Sequence, residues 1–335
     1  MTERVTIREV AKAAGVSRST VSRYFNNNGY LSDGARLRIE EAIRRVGYEP
    51  NMVARGLKSG TSSIIVLTVP DIGNPYYAQM AKTAQALCNR HGYVLVLMDS
   101  NNRKDYEAEM IRLARRVCAA GILNASIDTC GHIPPCGIPM TCMCAYEKPA
   151  FYDEVTVSKA GGICLAVRYL ASLGHSRIGF IGGQRESGIE KGRLGSYLNQ
   201  MELEGLPVIP ELIVERGFAR EDGYEAAMAL MKVPRRPTAI CCANDLLAFG
   251  VMSALNDLGV EIPAEVSVTG MDNLPYAPLL RPKLTTVSND SVAFVTEAFG
   301  MLIERIEERY TGPGRCVEIP NRLIVRESAC PPTSV

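Results

Sequence analysis

The segment GVSRSTVSRYF, residues 15–25, places two arginines and four Ser or Thr hydroxyls within eleven positions. Arginine donates hydrogen bonds to guanine edges or to phosphates, and short hydroxyl side chains let a helix approach a nucleic-acid backbone closely. A plain three-helix bundle with a solvated charged face is the alternative interpretation. The choice of side chains favours a helix that reads the major groove of DNA.

A second group of polar residues follows the predicted strands of the remaining chain. Ligands of open parallel sheets bind outside the carboxyl ends of the strands, so these residues predict a site for a sugar or a similar polyol. Asn244 and Asp245 have an alternative role as helix caps. The group comprises Asp71, Asn74 and Tyr76 after the first strand, Asp99 and Asn101 after the second, Asn244 and Asp245 after TAICCA, and Asp272 after VSVTG.

The chain contains eleven cysteines, most of them in apolar runs where a reduced thiol fills the core as a small hydrophobe. Cys130, His132, Cys136, Cys142 and Cys144 lie close together, and a metal or redox site there remains an alternative. The paired Cys-x2-Cys spacing of zinc sites is missing. The alternation of the last two cysteines predicts a buried strand with both thiols on one face.

Catalysis would require a Cys nucleophile with His132 or His175 as its base. No base is evident beside any cysteine, and the glycines of GFIGGQRESG lack the Lys-Ser/Thr of a phosphate-binding loop. We therefore predict that the protein is not an enzyme and needs no cofactor or metal.

Length and charge limit the function further. A chain of 335 residues with 47% hydrophobic residues can bury more than one core. No window matches a membrane span and the start lacks the pattern of a signal peptide, so a cytoplasmic location is expected. The first 60 residues carry eleven basic and six acidic side chains, a net charge of +5, which leaves −4 for the remainder. This asymmetry predicts that only the N-terminal region binds a polyanion.

The N-terminal pattern predicts three short helices. Thr6 and Glu9 have the spacing of a capping box, and the helix that follows ends at Gly15. Ser17 can cap a second helix after a tight turn, and Ser32 a third, which together form a helix-turn-helix. The apolar positions expected to face inward are Val21, Phe25, Ala35, Ile39, Ala42, Ile43 and Val46.

From residue 63 onward, short apolar runs alternate with helical stretches. This alternation predicts parallel sheets with helices on both faces. The length, about twice that of a flavodoxin-like unit, predicts two lobes with a cleft between them. The strand-like runs are SIIVLTV, GYVLVLMD, AAGIL, RIGFIG, ELIVERG, TAICCAND and EVSVTGMD.

VTIREVAKAAGVSRSTVSRYFNN, followed by GYEPNMVARGLKSGTSSIIVLTVPDIGNPYY, resembles the start of a lactose repressor/galactose repressor (LacI/GalR) family transcriptional regulator. The resemblance continues through SLGHSRIGFIGG, GRLGSY, PTAICCANDLLAFGVMSAL, VSVTGMDN and LTTV, which is close to the full chain. It implies an all-α helix-turn-helix domain and an α/β, two-lobed, periplasmic-binding-protein-like body built of two flavodoxin-like sheets.

The family organisation implies domain boundaries for this chain. The DNA-binding domain spans 1–49, a hinge helix and linker span 50–60, and the effector-binding and dimerisation domain spans 61–335. The expected lobes are 61–159 with 290–324, and 160–289 with 325–335. The ending RLIVRESACPPTSV has no leucine heptads, so we expect a homodimer that lacks a tetramerising tail and reads a palindromic operator.

The resemblance also implies which residues contact DNA. Arg18, Ser19 and Arg23 match positions that meet operator bases, whereas Ser17, Thr20, Ser22 and Asn26 match positions on phosphates. Leu57 would be a wedge between base steps in the minor groove. An interdomain packing helix is the alternative for the linker. The full predicted set is Thr6, Ser17, Arg18, Ser19, Thr20, Ser22, Arg23, Asn26, Arg55, Leu57 and Lys58.

The effector contacts implied by the family fall on the predicted cleft. Where the family usually has Asp-Asn, this chain has Ser158-Lys159, and a cation there favours an acidic or phosphorylated ligand over a neutral sugar. We therefore predict a sugar, sugar acid or sugar phosphate as effector. The predicted effector-binding residues are Asn74, Tyr76, Tyr77, Asn101, Lys159, Arg193, Phe218, Asn244 and Asp272.

Together these features predict a ligand-responsive, sequence-specific regulator that represses a carbohydrate-utilisation operon. A soluble small-molecule-binding protein or an enzyme on the same two-lobed fold is the alternative. The residues leave open the operator, the identity of the effector and the sign of its effect.

Overall fold

The computed structural model describes residues 5–26, 30–48, 62–125, 136–143, 151–157, 161–183 and 188–333. The chain divides into two compact units, Met1–Ser62 and Ser63–Val335. In the described part of the chain, no helix has the length and apolar character needed to cross a membrane.

The first unit contains the three predicted helices, α1 (Ile7–Ala14), α2 (Arg18–Asn26) and α3 (Asp33–Val46). Their small core is closed by Val10, Val21 and Ile39, each fully buried. Ser32 caps α3 by accepting a hydrogen bond from the backbone N–H of Ala35. The apolar spacing of this segment therefore predicts its fold correctly.

The second unit contains two six-stranded sheets, and its helices flank them. The strands of the first sheet are all parallel, in the order β11-β5-β4-β3-β1-β2. The second sheet has the order β12-β10-β9-β8-β6-β7, and only β12 runs antiparallel to its neighbour. The strands are β1 (Ile64–Val69), β2 (Val94–Asp99), β3 (Gly121–Ala125), β4 (Met140–Met143), β5 (Asp153–Val157), β6 (Ile178–Gly182), β7 (Ile213–Glu215), β8 (Ala239–Cys242), β9 (Ser267–Met271), β10 (Thr285–Ser288), β11 (Cys316–Ile319) and β12 (Arg322–Ile324).

Each sheet forms one lobe with its own core. The first-lobe core joins β1, β3, β4 and β5 to α4 (Pro75–Arg90) and α10 (Ser291–Ile306). The second-lobe core joins β6, β8 and β9 to four helices, α6 to α9 inclusive. The helices are α4 (Pro75–Arg90), α5 (Lys104–Arg116), α6 (Gly162–Ser172), α7 (Gly188–Leu203), α8 (Arg220–Leu230), α9 (Asp245–Asp257) and α10 (Ser291–Ile306).

The chain passes between the lobes after β5 and before α6, and again at residues 289–290 and 320–321. Strand β12 pairs with β10 of the second sheet, with Thr286 opposite Ile324. The prediction that the first lobe extends to residue 324 is therefore wrong by a few residues. The alternation of strand-like and helical runs in the sequence could not locate this boundary, because β12 is only three residues long.

The seven strands predicted from apolar runs are all present, but the prediction omitted the short strands β5, β10, β11 and β12. Cys142 is fully buried on β4, as its alternation predicts. Cys130, His132 and Cys144 lie outside the described residues.

Candidate functional site

Helix α2 carries its arginines on the side away from the core. Val21 is fully buried, whereas Arg18, Ser19 and Arg23 are exposed. Two exposed guanidinium groups on one short helix suit hydrogen bonding to guanine edges in the major groove. The structure thus brings together the three side chains predicted to meet DNA bases.

Hydroxyl groups cluster at the N-terminus of α2. Ser17 accepts a hydrogen bond from the backbone N–H of Thr20 at 3.1 Å, and its hydroxyl lies 2.7 Å from those of Ser19 and Thr20. The positive end of the helix dipole and these hydroxyls together suit a phosphate oxygen. Ser22 is half-buried on the same helix.

Thr6 caps α1. Its backbone N–H and its hydroxyl donate to the same carboxylate oxygen of Glu9, at 2.6 and 2.9 Å. The capping box predicted from the spacing is present, and its contact with DNA stays a prediction. The side chain of Asn26 and the residues Arg55, Leu57 and Lys58 lie outside the described residues.

In the second lobe, Asp272 follows β9 directly and is 8% exposed. Its carboxylate accepts a hydrogen bond from the side-chain amide of Asn289 at 3.0 Å. Burial raises the pKa of Asp272 to about 7, although nearby Arg193 and the amide of Asn289 oppose the rise. The group can therefore change its charge near neutral pH.

Arg193 lies near enough to this acid to act on its charge, and Phe218 lies beside Arg193. The Arg193 guanidinium is 5.7 Å from the centre of the Phe218 ring. The same ring covers Gly183 at the end of β6, where a Cβ atom would lie 2.2 Å from Phe218 Cζ. One wall of the second lobe thus presents an acid, a guanidinium and an aromatic ring together.

Asn244 is the N-cap of α9. Its Oδ1 accepts the backbone N–H of Leu247 at 2.8 Å, and its Nδ2 donates to the carbonyl of Phe218 at 3.0 Å. These bonds fix the Phe218 segment against the start of α9. Contact between Asn244 and an effector stays a prediction, and the helix-cap alternative correctly describes its bonds.

Asp245 has a different role, which the sequence reading missed. Its carboxylate accepts bonds from the Thr286 hydroxyl at 2.5 Å and from the Leu274 N–H at 2.7 Å. Burial, followed by the charge of Asp272, raises its pKa well above the usual range. Asp245 therefore holds the loop that carries Asp272.

The two lobes meet at this loop. Leu274 is fully buried in the first-lobe core, and Leu246 and Phe249 of α9 pack against the same core. The predicted ligand residues of the second lobe consequently lie close to the boundary with the first.

The first-lobe candidates lie at the start of α4 and after β2. Asn74 caps α4 by accepting the Tyr76 N–H at 3.0 Å. Tyr76 is buried in the core, while the half-buried Tyr77 packs edge-to-face against it at 5.4 Å. Asn101 is exposed after β2, with a φ of 50°. Lys159 lies outside the described residues.

A buried polar group in the first lobe was also missed. The Thr68 hydroxyl donates to Asn124, and the Asn124 amide donates to Glu107 of α5 at 3.1 Å. Thr68 and Asn124 lie near the carboxyl ends of β1 and β3. An asparagine inside the apolar run GILNA was the available signal, because a buried amide requires partners.

Within the described ranges, no group of three or more His, Cys, Asp or Glu residues is arranged to hold a metal ion. Burial raises the pKa of the Cys88 thiol to about 11 and that of Cys241 to about 12, so both stay protonated at neutral pH. His175 is bound to Thr238 and to the carbonyl of Cys330, each at 2.9 Å. None of these groups is arranged as an activated nucleophile.

Comparison with known proteins matches both units. Residues 6–51 match the family described as bacterial regulatory proteins, lacI family, and residues 167–329 match a periplasmic binding protein-like domain. The lac repressor dimer bound to operator and the anti-inducer ONPF superposes with a TM-score of 0.86 at 23% identity, covering 98% of this chain and all of that one. A transcriptional regulator CelR–cellobiose complex gives 0.72 at 24% identity, covering 97% and 100%.

Full-length relatives give the same assignment. The HTH-type transcriptional repressor PurR of Proteus mirabilis is 32% identical over 329 residues, covering 96% of each chain. PurR of Yersinia pestis is 32% identical over 333 residues, again covering 96% of each. The chain therefore belongs to the LacI family of bacterial regulatory proteins and is a ligand-responsive, DNA-binding transcriptional regulator.

Proposed function

We propose that this regulator is a cytoplasmic repressor of carbohydrate utilisation that takes a small sugar-like effector between its lobes. The observation that carries the proposal is the grouping of Asp272, Arg193 and Phe218 on one wall of the second lobe. We infer that the protein is not an enzyme.

The chemistry of this wall suits a polyol. A carboxylate accepts hydrogen bonds from sugar hydroxyls, a guanidinium donates to hydroxyl or acidic oxygens, and an aromatic ring packs against the apolar face of a sugar ring. Lys159, predicted to lie near the cleft, would extend the preference to sugar acids and phosphates. Among the structural neighbours, CelR carries cellobiose and a regulator from Enterococcus faecium carries ribose.

We infer that two copies act together on DNA. The edge strand β2 leaves Val94 and Leu97 exposed, and α5 leaves Leu113 exposed. Exposed apolar side chains on an edge strand and a neighbouring helix suit a contact between copies. A two-fold dimer would present two α2 helices to the half-sites of a palindromic operator, with Leu57 as the minor-groove wedge.

Two measurements test this function. Selection from a random DNA library should give a dyad-symmetric site, called here the selected operator, whose binding weakens steeply with salt. A thermal-shift panel of sugars, sugar acids, sugar phosphates and nucleobases should identify a ligand that raises the melting temperature. Arg193→Ala and Asp272→Ala should abolish that shift, whereas a retained shift in both variants places the pocket elsewhere.

A further inference from the structure

Three side chains form a hydrogen-bonded chain that starts at the proposed ligand carboxylate. Asn289 Nδ2 donates to Asp272 Oδ1 at 3.0 Å. Asn321 Nδ2 donates to Asn289 Oδ1 at 2.7 Å. Asp272 and Asn321 are thus connected through the amide of Asn289.

Both asparagines lie where the chain passes from one lobe to the other. Asn289 stands between β10 of the second sheet and α10, which packs in the first-lobe core. Asn321 stands between β11 of the first sheet and β12 of the second. The third passage ends near the same point, since a Cβ on Gly162 would lie 3.8 Å from Asn321 Nδ2.

The chain of bonds has one direction when Asp272 is ionised, which is the case above pH about 7. An ionised carboxylate only accepts hydrogen bonds, so Asn289 must turn its NH2 group toward Asp272. Its carbonyl oxygen is then left for Asn321, whose NH2 group supplies the donor. Asn289 is only 3% exposed, so water cannot readily replace either partner.

We propose that Asn289 and Asn321 are positioning residues that tie the Asp272 carboxylate to two of the segments connecting the lobes. A ligand that engages Asp272 then acts on the interlobe connection through these amides. This inference rests on the proposed function, because it takes Asp272 as the group that meets the effector. We call the three side chains the hinge relay.

Reversing the polarity of the relay tests it without any ligand, at a pH above about 7 where Asp272 is ionised. Asn321→Asp removes the donor, so Asn289 faces an acceptor at both ends and the unfolding equilibrium shifts toward the unfolded chain. Asp272→Asn supplies an amide at the other end that can donate to Asn289, which lets Asn289 turn around. The cost of Asn321→Asp should therefore be smaller in the Asp272→Asn background, by roughly tenfold in the unfolding equilibrium constant.

Charge repulsion between positions 272 and 321 would also give a coupling, and a third substitution separates it. In an Asn289→Ala background the relay is interrupted but both charges remain, so the coupling should fall to about twofold or less. Asn256→Asp at the exposed C-terminal end of α9 provides a matched control that should be additive with Asp272→Asn. Additive effects at 272 and 321, or a coupling that survives Asn289→Ala, would overturn the relay.

The affinity of the full-length dimer for the selected operator gives the functional readout. Asn321→Asp should change the operator Kd, and the double variant should return toward the affinity of the Asp272→Asn protein. A coupling in stability with none in operator affinity would overturn the role in regulation. Failure of the proposed effector site would appear separately, as ligand binding that survives Asp272→Ala.

Discussion

The carboxylate of Asp245 accepts a hydrogen bond at 2.7 Å from the backbone N–H of Leu274, a residue fully buried in the core of the opposite lobe. This bond joins the first residue of α9 to the loop that also carries Asp272. One buried side chain consequently holds both the loop that carries Asp272 and the boundary between the lobes.

Asp245→Ala should therefore destabilise the body and weaken effector binding at the same time. The substitution leaves the Leu274 N–H and the Thr286 hydroxyl without their acceptor, which costs about 1–3 kcal/mol for each buried group. Denaturant unfolding gives the loss of stability. Asp257→Ala on the exposed end of α9, where the acid accepts a bond from Tyr224, should cost less than about 0.5 kcal/mol. Equal losses in the two variants would contradict the role of Asp245.

The pKa of Asp272 predicts a pH dependence of stability. Its folded pKa, about 7, lies above the ordinary value of 3.8. The folded state therefore binds the extra proton, and the stability it provides is complete below pH about 4 and lost as the pH rises through 7. Asp272→Asn removes this dependence.

Urea unfolding of the parent and of Asp272→Asn between pH 4 and 8 measures the effect. The variant should gain stability relative to the parent as the pH rises. A constant difference across this range would mean that the carboxylate stays ionised in the folded protein.

Two glycines set the close packing of α8 on α9. A Cβ on Gly250 would lie 1.9 Å from the carbonyl oxygen of Arg220, and a Cβ on Gly223 would lie 2.2 Å from that of Leu247. Gly250→Ala and Gly223→Ala should each destabilise the second lobe by about 1–3 kcal/mol, because the helices must separate. Gly300→Ala on α10 has no atom within 4 Å and should stabilise by up to about 1 kcal/mol. Thermal unfolding of the three variants compares them directly.

The exposed arginines of α2 give a prediction for DNA recognition. Arg18→Ala and Arg23→Ala should weaken the selected operator by about 1–3 kcal/mol more than they weaken random DNA, if each guanidinium reads a base edge. Arg38→Ala removes the same charge from the exposed face of α3 and should affect both DNAs alike. Fluorescence anisotropy at fixed salt gives the affinities. A uniform loss on both DNAs would assign Arg18 and Arg23 to phosphates.

Much of the fold follows from local pattern. Helical spacing and caps such as Thr6 with Glu9 predict the three N-terminal helices. Long apolar runs such as β1 predict the strands of the two sheets. Strand β12 was not predicted, because three residues are too few to show the alternation of a strand. At the site, the resemblance implied Arg193 and Phe218, whereas Asp272 also follows from its place after a predicted strand.

The supporting residues could not be predicted in the same way. Asp245 and Asn289 act through partners 29 and 17 residues away in the chain, and single-sequence patterns carry no information on such pairs. Asn244 and Asp245 look equivalent as helix-capping residues, yet one caps α9 and the other holds the loop after β9.

The ratio of operator Kd values with and without a saturating effector, measured in the parent and in Arg193→Ala, shows whether a ligand at Asp272, Arg193 and Phe218 changes the affinity for DNA. The parent should show a ratio of about 5 to 150 in one direction, because coupling free energies of this kind are about 1–3 kcal/mol. Arg193→Ala should give a ratio of one at the same ligand concentration. A ratio of one in the parent despite ligand binding, or an undiminished ratio in Arg193→Ala, would mean that a ligand at this site does not control DNA binding.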